Sequence, residues 1–304
     1  MRAGRKQVTS LNAVEYVRAM RGRSQSQLLL GDDGYRYVVK FQNNPRGTRT
    51  LVNEWIANRF LQHIGIRTPE TCTINITDSF LKRNPAVYLG SNESPVLIAP
   101  GRHFASRHVD QKSRTPVYEM MPDTMMWRVL NASEICGARV LNAWVANKDQ
   151  PQLIYTADES ALVTCPTTGS QKQALNAHVI SSGNAFGGID WRLPCHPAKR
   201  SRAYMPDRGK CDTDAIWIRR IQAFPPPLIS EIVRSTPEDW LGPGERDLLC
   251  RLTSELIARR DRLAGLIRAA VLSNLGTLSV DLTRIAPASQ TSLQTSHHDS
   301  HVVA

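Results

Sequence analysis

The spacing of apolar and polar positions changes period several times along the chain. Residues 13–17 form a short apolar-rich run, followed by a turn, Met20-Arg21-Gly22-Arg23-Ser24-Gln25. Residues 27–30 and 35–41 are β-type runs on either side of Gly31-Asp32-Asp33-Gly34. Two such runs around a Gly/Asp turn predict a β-hairpin. The period then becomes helical, with Leu51, Val52, Trp55, Ile56, Phe60 and Ile64 on one stripe and Pro69 beyond it. Residues 71–77 are rich in β-branched side chains and predict another strand. Residues 82–115 carry many Pro, Gly, Asn and Ser and are expected to be loop. Residues 116–121 are a candidate strand leading into Pro122-Asp123.

From Ser133, a candidate N-cap, the pattern is helical again, with Ile135, Ala138, Leu141 and Val145 on one face. Short apolar runs follow at 153–155, 161–164 and 177–180. Residues 195–214 are polar and basic around Lys199-Arg200-Ser201-Arg202, and an exposed loop is expected there. Thr236-Pro237-Glu238-Asp239 reads as a capping box with proline at the first helical position. It precedes an amphipathic helix carrying Leu248, Leu249, Leu252, Leu256, Leu263 and Ile267. The residues from Ser279 onward, which include His297, His298 and His301, have the composition of a disordered tail. No internal repeat is visible.

Composition narrows the class. The chain has 304 residues, enough for two lobes around a cleft, and 41% of them are hydrophobic, as a packed core requires. No apolar run approaches the ~18 residues that cross a bilayer. The basic start is not followed by the apolar segment of a signal peptide, so a soluble, cytoplasmic chain is expected. The six cysteines are scattered without a CxxC pair, and free, mostly buried thiols are expected. Cys195, His196, Cys211 and His178 match no zinc spacing. A net charge of +11 favours anionic partners: nucleotide, phosphorylated surfaces or RNA. A nucleic-acid role ranks last, because no stacking platform or nucleic-acid motif accompanies the charge.

The candidate chemistry lies in two clusters. Lys40 sits within the β run Tyr37-Val38-Val39-Lys40-Phe41, where a cation needs a partner. Glu54 lies 14 positions on, early in the predicted helix. One arrangement for phosphoryl transfer uses a strand lysine that neutralises phosphates and a helix carboxylate that holds it in place. The competing reading is an edge-strand lysine snorkelling to water. The turn containing Gly22, Ser24 and Gln25 offers backbone N–H groups to phosphate, though with a single glycine an ordinary hairpin turn accounts for it equally well. The second cluster is Asn147-Lys148-Asp149-Gln150-Pro151-Gln152. Asp149 is placed to orient an attacking hydroxyl, with Gln152 or Asn147 as amide ligands to magnesium. Read alone, it is a helix-ending turn.

Taken in order, these segments resemble the HipA-like kinase family, and more narrowly its short free-standing bacterial branch. The likeness runs from about residue 11 to residue 267. Its most specific pieces are the turn 20–25, the run 37–45, Leu51-Val52-Asn53-Glu54-Trp55, residues 101–107, residues 117–122 and residues 258–263. The resemblance implies an α+β, two-lobed protein-kinase-like fold. An N-terminal antiparallel sheet lobe with one helix would span residues 1–121, and a mainly helical C-terminal lobe residues 122–278, before the tail at 279–304.

It also implies ATP with Mg²⁺ and transfer to a protein Ser/Thr hydroxyl, with translation-related targets in the best-known members. Lys40 would bind phosphate with Glu54 as its partner. Residues 118–121, with Glu119 and Met121, would form the adenine-facing hinge, and Asp149 would be the catalytic aspartate. Two departures stand out. Gln150-Pro151 occupies a stretch where the family carries a basic residue. Ser181 stands where the family's metal-binding aspartate is expected, and a hydroxyl is a poor Mg²⁺ ligand beside a carboxylate. Asp190 is the nearest acid after that loop and the candidate substitute. The alternative function is therefore a degenerate kinase that binds nucleotide or a partner without catalysis.

Overall fold

The computed structural model describes residues 11–22, 24–91, 93–110, 116–147, 149–194 and 211–269. Strand β1 (Leu11–Ala19), β2 (Gln27–Gly31) and β3 (Arg36–Lys40) form the expected meander. In the β2–β3 turn, Asp33 Oδ1 accepts from the backbone N–H of Tyr35 at 3.1 Å, and Asp33 Oδ2 accepts from the Tyr37 hydroxyl at 2.7 Å. Gly34 takes φ +80°, which a side chain would oppose.

Helix α1 (Arg49–Ile64) follows, and β4 (Thr71–Ile76) runs parallel to β1, pairing Leu11 with Ile74. A short α2 (Asp78–Arg83) is capped by Thr77 Oγ1, which accepts from Phe80 N–H at 3.1 Å. A two-stranded hairpin, β5 (Tyr88–Ser91) and β6 (Ser94–Leu97), leads to β7 (Gly101–Arg107). That strand pairs with both β3 and β4 and closes a five-stranded barrel in the order β1-β2-β3-β7-β4. Leu29, Val39, Phe41, Ile74, Ile76 and Ala105 fill its core.

This corrects three expectations. The sheet is closed and includes one parallel pair, and a second short helix accompanies α1. The stretch 82–115 also holds three strands rather than loop alone. The polar residues of β7 hid it: His103 is fully buried, with its ring satisfied by backbone groups.

The second half opens with β8 (Val117–Tyr118) and α3 (Ala132–Trp144), followed by a long hairpin of β9 (Gln152–Thr164) and β10 (Gln171–Ile180). The apolar runs 153–155 and 161–164 are thus one strand, with a register shift opposite Gln173/Ala174. The mainly helical half therefore also carries a three-stranded sheet, β10-β9-β8. Helices α4 (Cys211–Gln222), α5 (Pro226–Arg234) and α6 (Glu245–Asp261) complete it, with more helix at 263–269.

Residues 211–214 begin α4, not a loop, while 195–210 and the expected tail at 279–304 lie outside the described residues. Thr236 does not cap a helix. Its hydroxyl donates to Val233 O at 2.8 Å, and α6 starts only at Glu245. Ser133 lies inside α3, whose N-cap position is Asn131. Of the described cysteines only Cys136 is buried; Cys72 and Cys165 are intermediate and Cys250 is exposed.

Helix α1 joins the two halves. It is buried on nearly every side, and its Phe60 ring lies 4.9 Å from Trp144 and 5.3 Å from Phe224. Each such fully buried side chain stabilises the fold by about 1.5–3 kcal/mol relative to exposure. Gly65, at φ +82°, ends the helix by returning its N–H to Gln62 O. Glu54 is thereby held in the middle of the molecule, beneath β3.

Candidate functional site

A cavity of about 1160 Å³ opens between the barrel and the helical half, ample for a nucleotide-sized ligand. Its wall is built from the β1–β2 turn, β3, α1, the segment around β8, the turn after α3, and the loop after β10. Lys40 Nζ is ion-paired with Glu54 Oε1 on this wall, the two side chains being 15% and 3% exposed. Burial favours the pair strongly over either charge alone. Glu54 is fixed from several sides. Asn58 Nδ2 donates to its backbone carbonyl at 2.8 Å, and Ser181 Oγ donates to its Oε1 at 3.4 Å.

The loop after β10 brings Ser181 and Asn184 to the same wall. Ser181 takes φ +58°, and Asn184 Nδ2 donates to Asp149 Oδ2 at 2.7 Å. Asn53 holds this loop from α1. Its Nδ2 approaches the carbonyls of Gly183, Ala185 and Gly188 at 2.8, 3.0 and 3.1 Å, and its Oδ1 accepts from Trp191 Nε1 at 2.8 Å. Backbone bonds from Phe186 N–H to Val145 O (2.6 Å) and from Gly187 N–H to Ala146 O (3.1 Å) lace it to the turn after α3. Two asparagines shape that turn. Asn147 Oδ1 accepts from Asp149 N–H at 3.1 Å, and Asn142 Nδ2 donates to Asp149 O at 3.2 Å. Asp149 is thus presented to the cavity by a hydrogen-bonded frame.

The predicted site residues divide accordingly. Gly22, Ser24, Lys40, Glu54, Glu119, Met121, Asp149 and Gln152 all line the cavity. Gln25 does not; its Oε1 accepts from Gly90 N–H at 2.8 Å, tying the β1–β2 turn to the β5–β6 hairpin. Asn147 is buried behind the wall, and Asp190 is exposed on a 3₁₀ turn outside it. Neither is placed beside Gln152, the third metal candidate, on the cavity wall. The residues that sequence reasoning passed over are Asn53, Asn142 and Asn184. An asparagine inside the apolar run 51–56 was a usable signal, since burying an amide is costly unless its hydrogen bonds are made.

The donor set bears on metal binding. Of the carboxylates lining the cavity, Glu54 already neutralises Lys40, while Asp110 and Glu119 come from the segments flanking residues 111–115. That leaves Asp149, whose Oδ2 already accepts from Asn184, with the neutral oxygens of Ser181, Asn184 and Gln152. Among the described residues no group of three or more His, Cys, Asp or Glu side chains is arranged to hold a metal. Mg²⁺ seeks carboxylates and near-octahedral oxygen geometry. One carboxylate beside neutral oxygens is too little for an ion held by the protein alone, so an ion here would depend on substrate phosphates for most of its ligands.

A strand lysine paired with a buried helix glutamate, lining one large cleft together with an aspartate, is the arrangement of a kinase-like α+β protein. Residues 14–165, half of the chain, match the family described as HipA-like kinase. The chain belongs to the HipA-like kinase family. No curated protein matches it. Among solved structures it is similar to the Golgi casein kinase with Mn/ADP bound, at 9% identity and a TM-score of 0.47, covering 86% of this chain and 72% of that one. It is also similar to the Helicobacter pylori proinflammatory kinase CtkA, at 10% identity and a TM-score of 0.49, covering 88% and 99%. Among the described residues no helix is long and apolar enough to cross a membrane.

Proposed function

We propose that the chain binds ATP in this cleft and transfers its γ-phosphoryl group to a Ser or Thr hydroxyl of a protein. The observation that carries the reading is the Lys40–Glu54 pair on the wall that also presents Asp149. Adenine lies against the segment of Glu119 and Met121, and the phosphates lie between Lys40 and the turn of Gly22 and Ser24. The acceptor hydroxyl attacks the γ-phosphorus while the bond to the β–γ bridging oxygen breaks and ADP leaves. The hydroxyl proton passes to Asp149, whose Oδ1 carries no hydrogen bond among the described residues while Oδ2 is held by Asn184. Side-chain positioning and charge supply the catalysis. The net charge of +11 suits an anionic acceptor protein, the translation machinery included, and the compartment that goes with this reading is the cytoplasm.

A second reading, nucleotide binding without transfer, is favoured by Ser181. Its hydroxyl donates to Glu54, where the family resemblance calls for a carboxylate facing the phosphates. Incubation with γ-labelled ATP and a panel of acceptor proteins separates the two. Label transfer by the wild type that falls at least ~100-fold in Asp149→Asn supports the kinase. Binding of ATP without any transfer supports the second reading.

A further inference from the structure

The wall of the cavity carries more positive charge than its structure uses. Four arginines line the cavity: Arg18, Arg21, Arg46 and Arg107. Arg107 is committed, because it pairs with Glu70 at 3.1 Å and stacks over Tyr35 at 3.5 Å. Arg18 donates to Ala19 O at 3.4 Å. The guanidinium groups of Arg21 and Arg46 have no partner among the described residues.

Arg21 and Arg46 belong to different turns, and one side chain joins those turns. Asn44 Nδ2 donates to Ser24 O at 2.9 Å, tying the turn after β3 to the turn after β1. Asn44 Oδ1 accepts from Arg46 N–H at 3.0 Å, setting the start of the Arg46 side chain. Gly47, at φ +84°, closes that turn by donating to Asn44 O at 2.8 Å. Arg21 and Arg46 therefore stand on a coupled rim on the same cavity as Lys40. The charge of Lys40 is already balanced by Glu54, so Lys40 alone leaves a triphosphate largely uncompensated. Guanidinium forks bind phosphate bidentately and stay charged at all working pH values.

Resting on the ATP-cleft reading above, we infer that Arg21 and Arg46 form a two-sided clamp on the nucleotide phosphates and that this clamp supplies the charge a divalent ion otherwise supplies. Nucleotide binding then does not require Mg²⁺. The role of Ser181 follows: with the phosphate charge met at the rim, the residue after β10 is free to be neutral and to hold Glu54.

The test is calorimetric titration of ATP and of adenosine, in EDTA and in Mg²⁺, into the full-length wild type and Arg21→Gln/Arg46→Gln. The clamp predicts that the wild type binds ATP in EDTA within ~3-fold of its affinity in Mg²⁺. It also predicts that the double variant loses ~10- to 100-fold for ATP, as removal of charge-assisted hydrogen bonds does, and keeps its adenosine affinity. Wild-type ATP binding that vanishes in EDTA and returns with Mg²⁺ overturns the inference but leaves the ATP-cleft reading standing. So does a double variant that binds ATP as the wild type does. Failure of both ligands to bind the wild type overturns the underlying reading and the clamp together.

Discussion

Asn184 donates its side-chain amide to Asp149 Oδ2 at 2.7 Å, joining residues 35 positions apart and fixing how the carboxylate faces the cleft. Replacing Asn184 with Ala removes the donor but leaves the turn around Asp149, which Asn142 and Asn147 hold independently. The expected result is a fall in kcat of ~10- to 100-fold with the KM for ATP nearly unchanged, since misplacement of a reacting group by about 1 Å costs that much. A fall in kcat/KM that comes wholly from KM would place Asn184 in nucleotide binding instead.

The Lys40–Glu54 pair also holds the fold. Lys40→Ala strands the Glu54 carboxylate, which is 3% exposed, and a buried charge that loses its partner destabilises by roughly 3–5 kcal/mol. Adding Glu54→Gln to Lys40→Ala removes the stranded charge and should return a good part of that loss. Urea melts of the single and double variants check this; equal losses in both would show that the charge of Glu54 is not what costs stability.

Asn53 is expected to matter as much as the charged residues. Asn53→Leu keeps the branched skeleton but deprives the carbonyls of Gly183, Ala185 and Gly188, and the indole N–H of Trp191, of their shared partner. Unsatisfied buried groups cost about 1–3 kcal/mol each, partly relieved by relaxation, so a loss of about 3 kcal/mol is expected. Hydrogen exchange should rise first in residues 181–191, the loop that Asn53 holds.

His103 gives the fold a pH dependence of known sign. Burial pushes its pKa from 6.5 down to about 4, against smaller opposing effects from Ala99 O and Asp239. Its Nδ1 must stay unprotonated to accept from Gln42 N–H at 3.0 Å. Between these pKa values the unfolded chain binds a proton that the folded chain refuses. Stability is therefore full above about pH 6.5 and declines as pH falls towards 4. One pKa unit corresponds to about 1.4 kcal/mol, so His103 contributes a loss of about 2 kcal/mol from pH 7 to pH 5, and His178, also pushed down to about 4 by burial, adds to it. His103→Asn should be less stable at pH 7 but show a shallower decline; identical slopes for the two proteins would exclude His103 as the source.

The elements that announced themselves in the sequence were those whose local chemistry and tertiary role agree. The Gly31–Gly34 turn, with apolar runs on both sides, marked the β2–β3 hairpin, and the stripe from Leu51 to Ile64 marked α1. Lys40 drew notice because a cation in a β run needs an explanation, and Glu54 because it follows at helical register. β7 stayed hidden because Arg102, His103 and Arg107 look polar. Arg102 is half-exposed and pairs with Asp239, and His103 is neutral and buried, so the strand lies inside a barrel despite its composition. The hairpin of β9 and β10 was read as fragments because its outer halves are exposed and polar. The asparagine frame around Asp149 lies beyond local reading altogether. It joins α1, the turn after α3 and the loop after β10, and no spacing rule connects positions 53, 142 and 184.

The proposed chemistry requires the cleft beside Lys40 to take a nucleotide. Calorimetric titration of ATP into the wild type and into Lys40→Ala, at a temperature where circular dichroism shows both folded, tests it most directly. A nucleotide site there gives saturable one-to-one binding by the wild type and at least ~10-fold weaker binding by the variant, the loss of one charge-assisted phosphate contact. Equal binding by the two proteins, or none by the wild type, would contradict it.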